Sequence, residues 1–238
     1  MKEEKISAGS YDLNKWLFGG YEKDIITTIY GPAGSGKTNL CVLASVSQAK
    51  KGNKVIFIDT EGGFSVDRFK QISGEEDSLS NLLILKPTNF EEQKKSFDTL
   101  LKTIKSNTNV SLIVVDSMTM LYRLELSEKK DNNIKELNSE LSRQLRTLSE
   151  IARNKQIPII ITNQVYYSFL SDEEFQSGKQ RDANMVGGDI LRYWSKCLIE
   201  LQNSNSRRKA ILRKHRSLPE KELEFSIDNK GVRKRGLF

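Results

Sequence analysis

The chain has 238 residues, of which 37% are hydrophobic and 29% are charged. Such a chain is long enough for one medium-sized α/β domain with a substantial core, and a second complete domain would be hard to fit. It contains no apolar run long enough to cross a bilayer, and its charged first residues do not resemble a secretory signal, so we expect a cytoplasmic protein with no membrane partner.

The formal net charge of +7 is unevenly distributed along the sequence. Residues 179–238 contain 15 Lys and Arg against 7 Asp and Glu, whereas basic and acidic residues nearly balance before them. A one-sided basic excess favours a polyanionic partner, and nucleic acid is the commonest such partner. On charge alone, a basic surface that is simply solvated remains an alternative.

A predicted strand and a predicted helix flank a phosphate-binding motif. Residues 25–30 are rich in β-branched side chains, which predicts a buried strand, and residues 39–50 carry apolar residues at helical spacing. The sequence between them fits the pattern G-x-x-x-x-G-K followed by Ser or Thr, and comprises Gly31, Pro32, Ala33, Gly34, Ser35, Gly36, Lys37 and Thr38. In such a P-loop, backbone N–H groups surround phosphate oxygens, the lysine reaches the β- and γ-phosphates, and the threonine hydroxyl binds Mg²⁺.

Further strands alternate with helices along the chain. Buried strands are predicted at residues 54–59, 82–85, 112–116 and 158–163, and helices at residues 89–106 and 135–154. Strands that are apolar throughout indicate a mostly parallel sheet with helices on both faces. Shorter alternating strands follow at residues 197–202, 208–213 and 222–227, and we expect them to extend the sheet in antiparallel fashion.

Three polar residues stand at the carboxyl ends of predicted strands, where parallel sheets bind their ligands. Asp116 follows four apolar residues, as expected of the carboxylate that holds the Mg²⁺ shell beside a P-loop. Glu61 follows the predicted strand at residues 54–59 and is placed to polarise a water for attack on the γ-phosphate. Gln164 follows the strand at residues 158–163 and is placed to hydrogen-bond that phosphate. On position alone, each residue has an alternative interpretation: Asp116 as a strand terminator, Glu61 as a solvated turn residue, and Gln164 as an amide without a role at the site.

Two segments are candidates for contacting a second ligand. Residues 165–188 show no convincing periodicity and include aromatic residues together with Lys179 and Arg181. Because this segment begins directly behind Gln164, it is placed to couple nucleotide state to a second ligand. The second candidate is residues 126–133, which include Lys129 and Lys130.

Taken together, these motifs resemble the core of the RecA/RadA recombinase family. The resemblance rests on the P-loop and on residues 6–20, 58–68, 114–123, 161–165 and 187–188, in the family's order across about residues 6–230. It implies a RecA-like P-loop ATPase core with ATP and Mg²⁺ as ligands. By position it implies that Glu61 is the catalytic glutamate, that Arg68 packs on the adenine, and that Gln164 senses the γ-phosphate. The segments 126–133 and 165–188 match the family's two DNA-binding loops.

Three departures from the family pattern bear on activity. Only about five residues precede Ile6, so we expect neither the helical N-terminal DNA-binding domain nor the linker that docks protomers into filaments. Tyr193 stands where the recombinases have a histidine that connects ATP to DNA, and residues 215–219 replace an acidic segment. We therefore expect an accessory member of the family with weak, poorly DNA-stimulated ATP hydrolysis and no autonomous strand exchange. It would assist a RadA-type recombinase or other repair proteins.

For DNA, we expect sequence-independent binding to single-stranded or branched forms, dominated by phosphate contacts. The residues expected to supply these contacts are Lys129, Lys130, Lys179, Arg181, Arg233, Lys234 and Arg235. For residues 230–235, a disordered tail without a ligand remains an alternative.

A KaiC-like signalling ATPase or phosphotransferase, which shares the core fold, is the alternative function. That group tends to carry adjacent carboxylates after the second strand and often has duplicated domains, whereas here Gly62 follows Glu61 and no repeat is found. A ring helicase of related fold is a more distant alternative.

Overall fold

The computed structural model describes residues 5–74, 77–106, 109–128, 134–167, 183–204 and 207–235. Its strands are β1 (Lys5–Ile6), β2 (Tyr21–Glu22), β3 (Ile26–Gly31), β4 (Lys54–Asp59), β5 (Leu82–Leu85), β6 (Val110–Asp116), β7 (Ile159–Tyr167), β8 (Ala183–Met185), β9 (Cys197–Ser204), β10 (Arg207–Lys214), β11 (Lys221–Asp228) and β12 (Gly231–Lys234). Its helices are α1 (Tyr11–Trp16), α2 (Lys37–Ala49), α3 (Val66–Ser73), α4 (Phe90–Ser106), α5 (Met120–Glu128), α6 (Ile134–Lys155) and α7 (Gly188–Trp194). None of the described helices is both long enough and apolar enough to cross a membrane.

The large sheet has the strand order β12-β11-β10-β9-β3-β7-β6-β4-β5, and β8 pairs with β7 outside this path. Its parallel central strands and antiparallel C-terminal strands confirm the predicted α/β class with a mostly parallel sheet. One predicted detail is wrong, because β9 runs parallel to β3, with Cys197 opposite Thr27, and antiparallel pairing begins at β10. The reason is the connection: β9 follows helix α7, whereas only residues 205–206 separate β9 from β10.

The apolar strands separate two core clusters, one on each face of the sheet. Successive side chains of a strand point to opposite faces. In β4, Phe57 accordingly packs in the cluster that includes α2, and Ile58 packs in the cluster that includes α6. Both side chains are fully buried. Burial on both faces is the physical reason for the uninterrupted apolar runs that predicted parallel strands.

The sequence signals for two helices are confirmed. At the start of α4, the Asn89 side-chain oxygen accepts a hydrogen bond of 2.8 Å from the backbone N–H of Glu92. In α6, the predicted apolar stripe is buried and comprises Leu137, Leu141, Leu145, Leu148 and Ile151. This stripe covers one face of the sheet because its members recur every three or four residues.

Several short elements lie where sequence periodicity predicts none. β7 continues through Tyr167 and pairs with β8. The described residues near the two ends of segment 165–188 therefore pair with each other in antiparallel fashion. α5 extends to Glu128 and takes in the first residues of the other candidate segment. β12 pairs with β11, where a disordered tail is the alternative interpretation. β8 and β12, with three and four residues, are too short to carry a periodic signal.

Gly9 provides a test of how tightly the N-terminal segment packs on α2. Its φ is +87°, and an added Cβ would lie 2.3 Å from the Leu43 carbonyl oxygen. Gly52 has a similar φ of +75° with nothing within 4 Å of an added Cβ. Both Gly→Ala changes carry the left-handed penalty of about 1–2 kcal/mol. Only Gly9→Ala adds an overpacking cost of about 1–3 kcal/mol. We expect urea denaturation to show the larger loss for Gly9→Ala, and equal losses would contradict the close packing.

Candidate functional site

The phosphate-binding loop joins β3 to α2 at the carboxyl edge of the parallel strands. β3 ends at Gly31 and α2 begins at Lys37, so the predicted strand, loop and helix follow one another as expected. Gly36 has a φ of +109°, and an added Cβ would lie 2.9 Å from the Ile227 side chain, so this position requires glycine. Gly36 provides no side chain to cap α2, and uncapped N–H groups at a helix N-terminus bind anions.

Lys37 is held at the loop by the loop's own backbone. Its ammonium group donates to the carbonyl oxygens of Gly31 and Pro32 at 2.9 Å and 3.0 Å. Burial lowers the pKa of Lys37, and the carboxylates of Glu61 and Asp116 act in the opposite direction. The two carboxylates therefore help to keep a largely buried lysine charged where phosphate groups would bind.

Asp116 is a buried carboxylate that receives hydrogen bonds from two threonines. The Thr38 hydroxyl, on α2, donates to Oδ2 at 2.6 Å, and the Thr162 hydroxyl, on β7, donates to Oδ1. Burial raises the pKa of Asp116, although both hydrogen bonds oppose the change. Mg²⁺ prefers hard oxygen ligands, so the adjacent oxygens of Thr38 and Asp116 fit the predicted magnesium site.

Glu61, in the turn after β4, and Gln164, on β7, lie in contact. The Gln164 side-chain amide donates to the Glu61 carboxylate at 3.0 Å. Burial, together with the charge of Asp116, raises the pKa of Glu61. A carboxylate with a raised pKa binds a proton more readily, which is the property needed of a group that accepts a proton from water.

Asp59 supports the turn that carries Glu61. One oxygen of its buried carboxylate accepts a hydrogen bond from the Gly63 N–H at 3.0 Å, and the other accepts one from the Phe64 N–H at 3.1 Å. Sequence reasoning assigned Asp59 no role. The available signal is its place at the end of β4, since a buried carboxylate there needs hydrogen-bond donors and the following turn supplies them.

A cavity of about 360 Å³ brings the P-loop together with Glu61 and Gln164, and Asp116 is not part of its wall but hydrogen-bonds to Thr38, which is. Its walls are formed by Ala33, Gly34, Gly36, Lys37, Thr38, Asn39, Glu61, Gln164, Arg208 and Ile227. Three of these, Asn39, Arg208 and Ile227, were not predicted. Arg208 and Ile227 belong to β10 and β11, and nothing in their own sequence shows that these strands lie beside the P-loop. Of the predicted P-loop residues, Gly31, Pro32 and Ser35 are outside the cavity wall.

Arg68, predicted to pack on adenine, lies on α3 and is not part of the cavity wall. Its guanidinium donates to the side-chain oxygen of Asn39 at 2.9 Å and to the backbone oxygen of Asp228 at 2.8 Å. Asn39 itself lines the cavity, so Arg68 is one side chain removed from it. Its contact with a base stays a prediction.

The predicted DNA-binding residues are only partly visible in the structure. Arg233, Lys234 and Arg235 are exposed on or next to the edge strand β12, and Arg233 forms an ion pair of 3.2 Å with Asp228. The remaining predicted residues, Lys129, Lys130, Lys179 and Arg181, lie outside the described residues. Tyr193, which replaces the expected histidine, is 72% exposed on α7.

Comparison with known proteins gives a consistent result. The sequence matches the Rad51 family over residues 2–235. The "DNA repair and recombination protein RadB" of Methanocaldococcus jannaschii is 43% identical over 222 residues, covering 92% of this chain and 98% of that protein. The protein of the same name from Methanobrevibacter smithii is 39% identical over 226 residues, covering 92% of both. The structure described as "Crystal structure of the RadB recombinase" superposes with a TM-score of 0.76 at 33% identity and covers 97% of this chain and 100% of that one.

The variant Asp116→Asn should distinguish a loss of Mg²⁺ binding from a loss of folding stability. Because burial raises the pKa of Asp116, its charge destabilises the folded state above that pKa. The Thr38 and Thr162 hydroxyls can rotate to accept from the asparagine amide, so at pH 8 without ligands we expect thermal unfolding of Asp116→Asn to occur at or above the wild-type midpoint. In wild type, Mg²⁺ with ATP at about 100 times its dissociation constant should add about 2.7 kcal/mol, and the variant should lose most of this gain.

Asp59→Asn is the control for that measurement. Both Asp59 oxygens accept backbone N–H groups, and an amide offers only one acceptor, so this variant should unfold at a lower temperature without ligands. A full Mg²⁺-dependent gain in Asp116→Asn would argue against the metal site.

Proposed function

Because this chain belongs to the Rad51 family, we propose that it is an ATP-binding and DNA-binding accessory protein of homologous recombination and DNA repair. It hydrolyses ATP slowly and performs no strand exchange alone. The single observation that carries the proposal is one cavity lined by the P-loop, Glu61 and Gln164, with Asp116 hydrogen-bonded to Thr38 of its wall. The RadB relatives named above, which this chain resembles over nearly its whole length, support the assignment to recombination and repair.

The cavity fits ATP and Mg²⁺ by the chemistry of its walls. The N-terminus of α2 and Lys37 would bind the phosphates, and Thr38 and Asp116 would hold the metal. Bound Mg²⁺ neutralises charge on the phosphate oxygens. Glu61 accepts a proton from water, and Gln164 orients the Glu61 carboxylate through its hydrogen bond. Lys37 supplies a fixed positive charge at the phosphates.

Slow turnover is proposed from the departures of this chain from the family pattern. In this family, active sites form between neighbouring protomers, and the exposed Tyr193 stands in place of a histidine that links ATP to DNA. We therefore propose ATP binding that sets the conformation of the protein and hydrolysis that DNA hardly stimulates.

DNA binding is proposed from the distribution of charge. The basic excess of residues 179–238 includes the exposed Arg233, Lys234 and Arg235 on one edge of the sheet. We propose that these residues, with Lys129, Lys130, Lys179 and Arg181, bind phosphates of single-stranded or branched DNA regardless of sequence.

A RadA-type recombinase is the proposed protein partner, since an accessory protein without strand exchange must act with an enzyme that has it. The KaiC-like alternative is not favoured, because the matched family is Rad51 and the relatives named above are RadB proteins. Incubation with labelled ATP separates the two classes, since a phosphotransferase would label itself.

Glu61→Gln should retain ATP binding and lose hydrolysis. The glutamine oxygen still accepts the hydrogen bond from Gln164 but no longer takes a proton, so we expect turnover to fall at least about 100-fold. Because burial raises the pKa of Glu61 and only its deprotonated form acts, wild-type turnover should increase with pH above the ordinary range of glutamate. The measurement is phosphate release against pH, with the dissociation constant of labelled ATP measured in parallel.

Lys37→Ala is the comparison variant, because it should lose both ATP binding and hydrolysis. If turnover of the wild type is fast and strongly stimulated by DNA, the accessory role is wrong. DNA binding measured in Lys37→Ala then shows whether nucleotide and DNA are coupled, and we expect that binding to persist.

DNA affinity should depend steeply on salt. Each phosphate contact on a single strand lowers the logarithmic slope of affinity against salt by about 0.7. Replacing Arg233, Lys234 and Arg235 by Ala should therefore reduce the magnitude of the slope by about 2. Replacing the exposed Lys95, Lys102 and Lys105 of α4 by Ala changes the net charge equally and should leave the slope nearly unchanged. A flat wild-type slope, or equal effects of the two triple variants, contradicts the proposed DNA surface.

A further inference from the structure

Arg208 is a basic residue of the cavity that neither the P-loop pattern nor the family resemblance identifies. It lies near the start of β10, where it pairs with Asn203 of β9 and Phe225 of β11. Its side chain is half-buried and forms part of the cavity wall together with Lys37, Thr38 and Glu61. The chain therefore brings a second cation to the site from a strand distant in sequence.

The other basic side chains of β10 illustrate what is unusual about Arg208. Lys209 pairs with Glu222 at 2.8 Å, and Arg213 pairs with Glu200 at 2.6 Å. In contrast, the Nε atom of Arg208 is buried and has no hydrogen-bond partner among the described residues. A buried N–H group without an acceptor destabilises the folded state, and a charged one does so more strongly.

The acidic residues in and beside the cavity are already engaged. Asp116 accepts hydrogen bonds from Thr38 and Thr162, and Glu61 accepts one from Gln164. An acceptor for Arg208 that comes from a bound molecule would be an anionic oxygen. A planar guanidinium with several N–H groups matches a phosphate, which presents oxygens on several sides.

We propose that Arg208 binds the phosphate groups of the nucleotide held by the P-loop of the same chain. This inference rests on the proposed nucleotide binding and adds to it a second phosphate-binding cation beside Lys37. Because Arg208 and the P-loop share one cavity, this contact forms within a single copy of the chain and needs no neighbouring protomer.

The test compares ATP with tripolyphosphate, an anion that carries the three phosphates without ribose or base. Dissociation constants for both, with Mg²⁺, are measured by calorimetry on wild type, Arg208→Ala and Arg208→Met, which keeps the aliphatic stem. We expect both variants to bind ATP and tripolyphosphate at least tenfold more weakly, with similar factors for the two ligands. The unfolding midpoint of Arg208→Met without ligand should lie at or above that of the wild type, since a buried group without a partner is removed while the aliphatic stem is kept.

Arg207→Ala is the matched control. Arg207 precedes Arg208 on the same strand, is exposed, and faces the other side, so the change in net charge is the same. If Arg207→Ala weakens ATP as much as Arg208→Ala, the effect is general electrostatics and the inference is wrong. It is also wrong if the Arg208 variants weaken ATP but not tripolyphosphate, which would indicate a contact with ribose or base, or if they weaken neither. Failure of the wild type to bind ATP would instead reject the proposed function itself, together with this inference.

Discussion

The hydrogen bonds at Asp116 are the interaction on which the site depends. One carboxylate at the end of β6 receives hydroxyl groups from Thr38 on α2 and Thr162 on β7, so it fixes the helix that follows the P-loop relative to two neighbouring strands. The carboxylate is almost completely buried, and its raised pKa records the cost of keeping a charge there. The hydrogen bonds offset part of that cost. The protein thus maintains a destabilising charge at the place where its proposed function requires a metal ligand.

Much of this site was predictable because it obeys two local rules. Continuous apolar runs mark parallel strands, and polar residues at their carboxyl ends converge at one edge of the sheet, as Glu61, Asp116 and Gln164 do. Neither rule identifies Arg208 as part of the site. A strand with two adjacent arginines shows that one faces each side, but which side meets the P-loop depends on the strand order, and strand order is a property of the whole fold. The parallel direction of β9 was missed for the same reason.

The basic C-terminal region is less uniform than its composition suggests. Arg213 forms ion pairs with Glu200 and Glu220, and Arg216 forms ion pairs with Glu22 and Asp24. These cations hold the C-terminal strands to each other and to the start of the chain. Net charge therefore overstates the positive surface available to a polyanion. Among the described residues, Arg208 has a buried Nε atom with no hydrogen-bond partner, and its function is therefore sought in a ligand.

β7 links the cavity to a half-exposed aromatic side chain. The strand carries Gln164 at the cavity and then continues to Tyr166, whose ring is half-exposed, while backbone pairing with Met185 and Asn184 of β8 stiffens this part. Residues two apart on a strand project to the same side and are separated by about 6.5 Å. A displacement of Gln164 along the strand therefore moves Tyr166 by nearly the same amount, because no flexible residue of a loop lies between them.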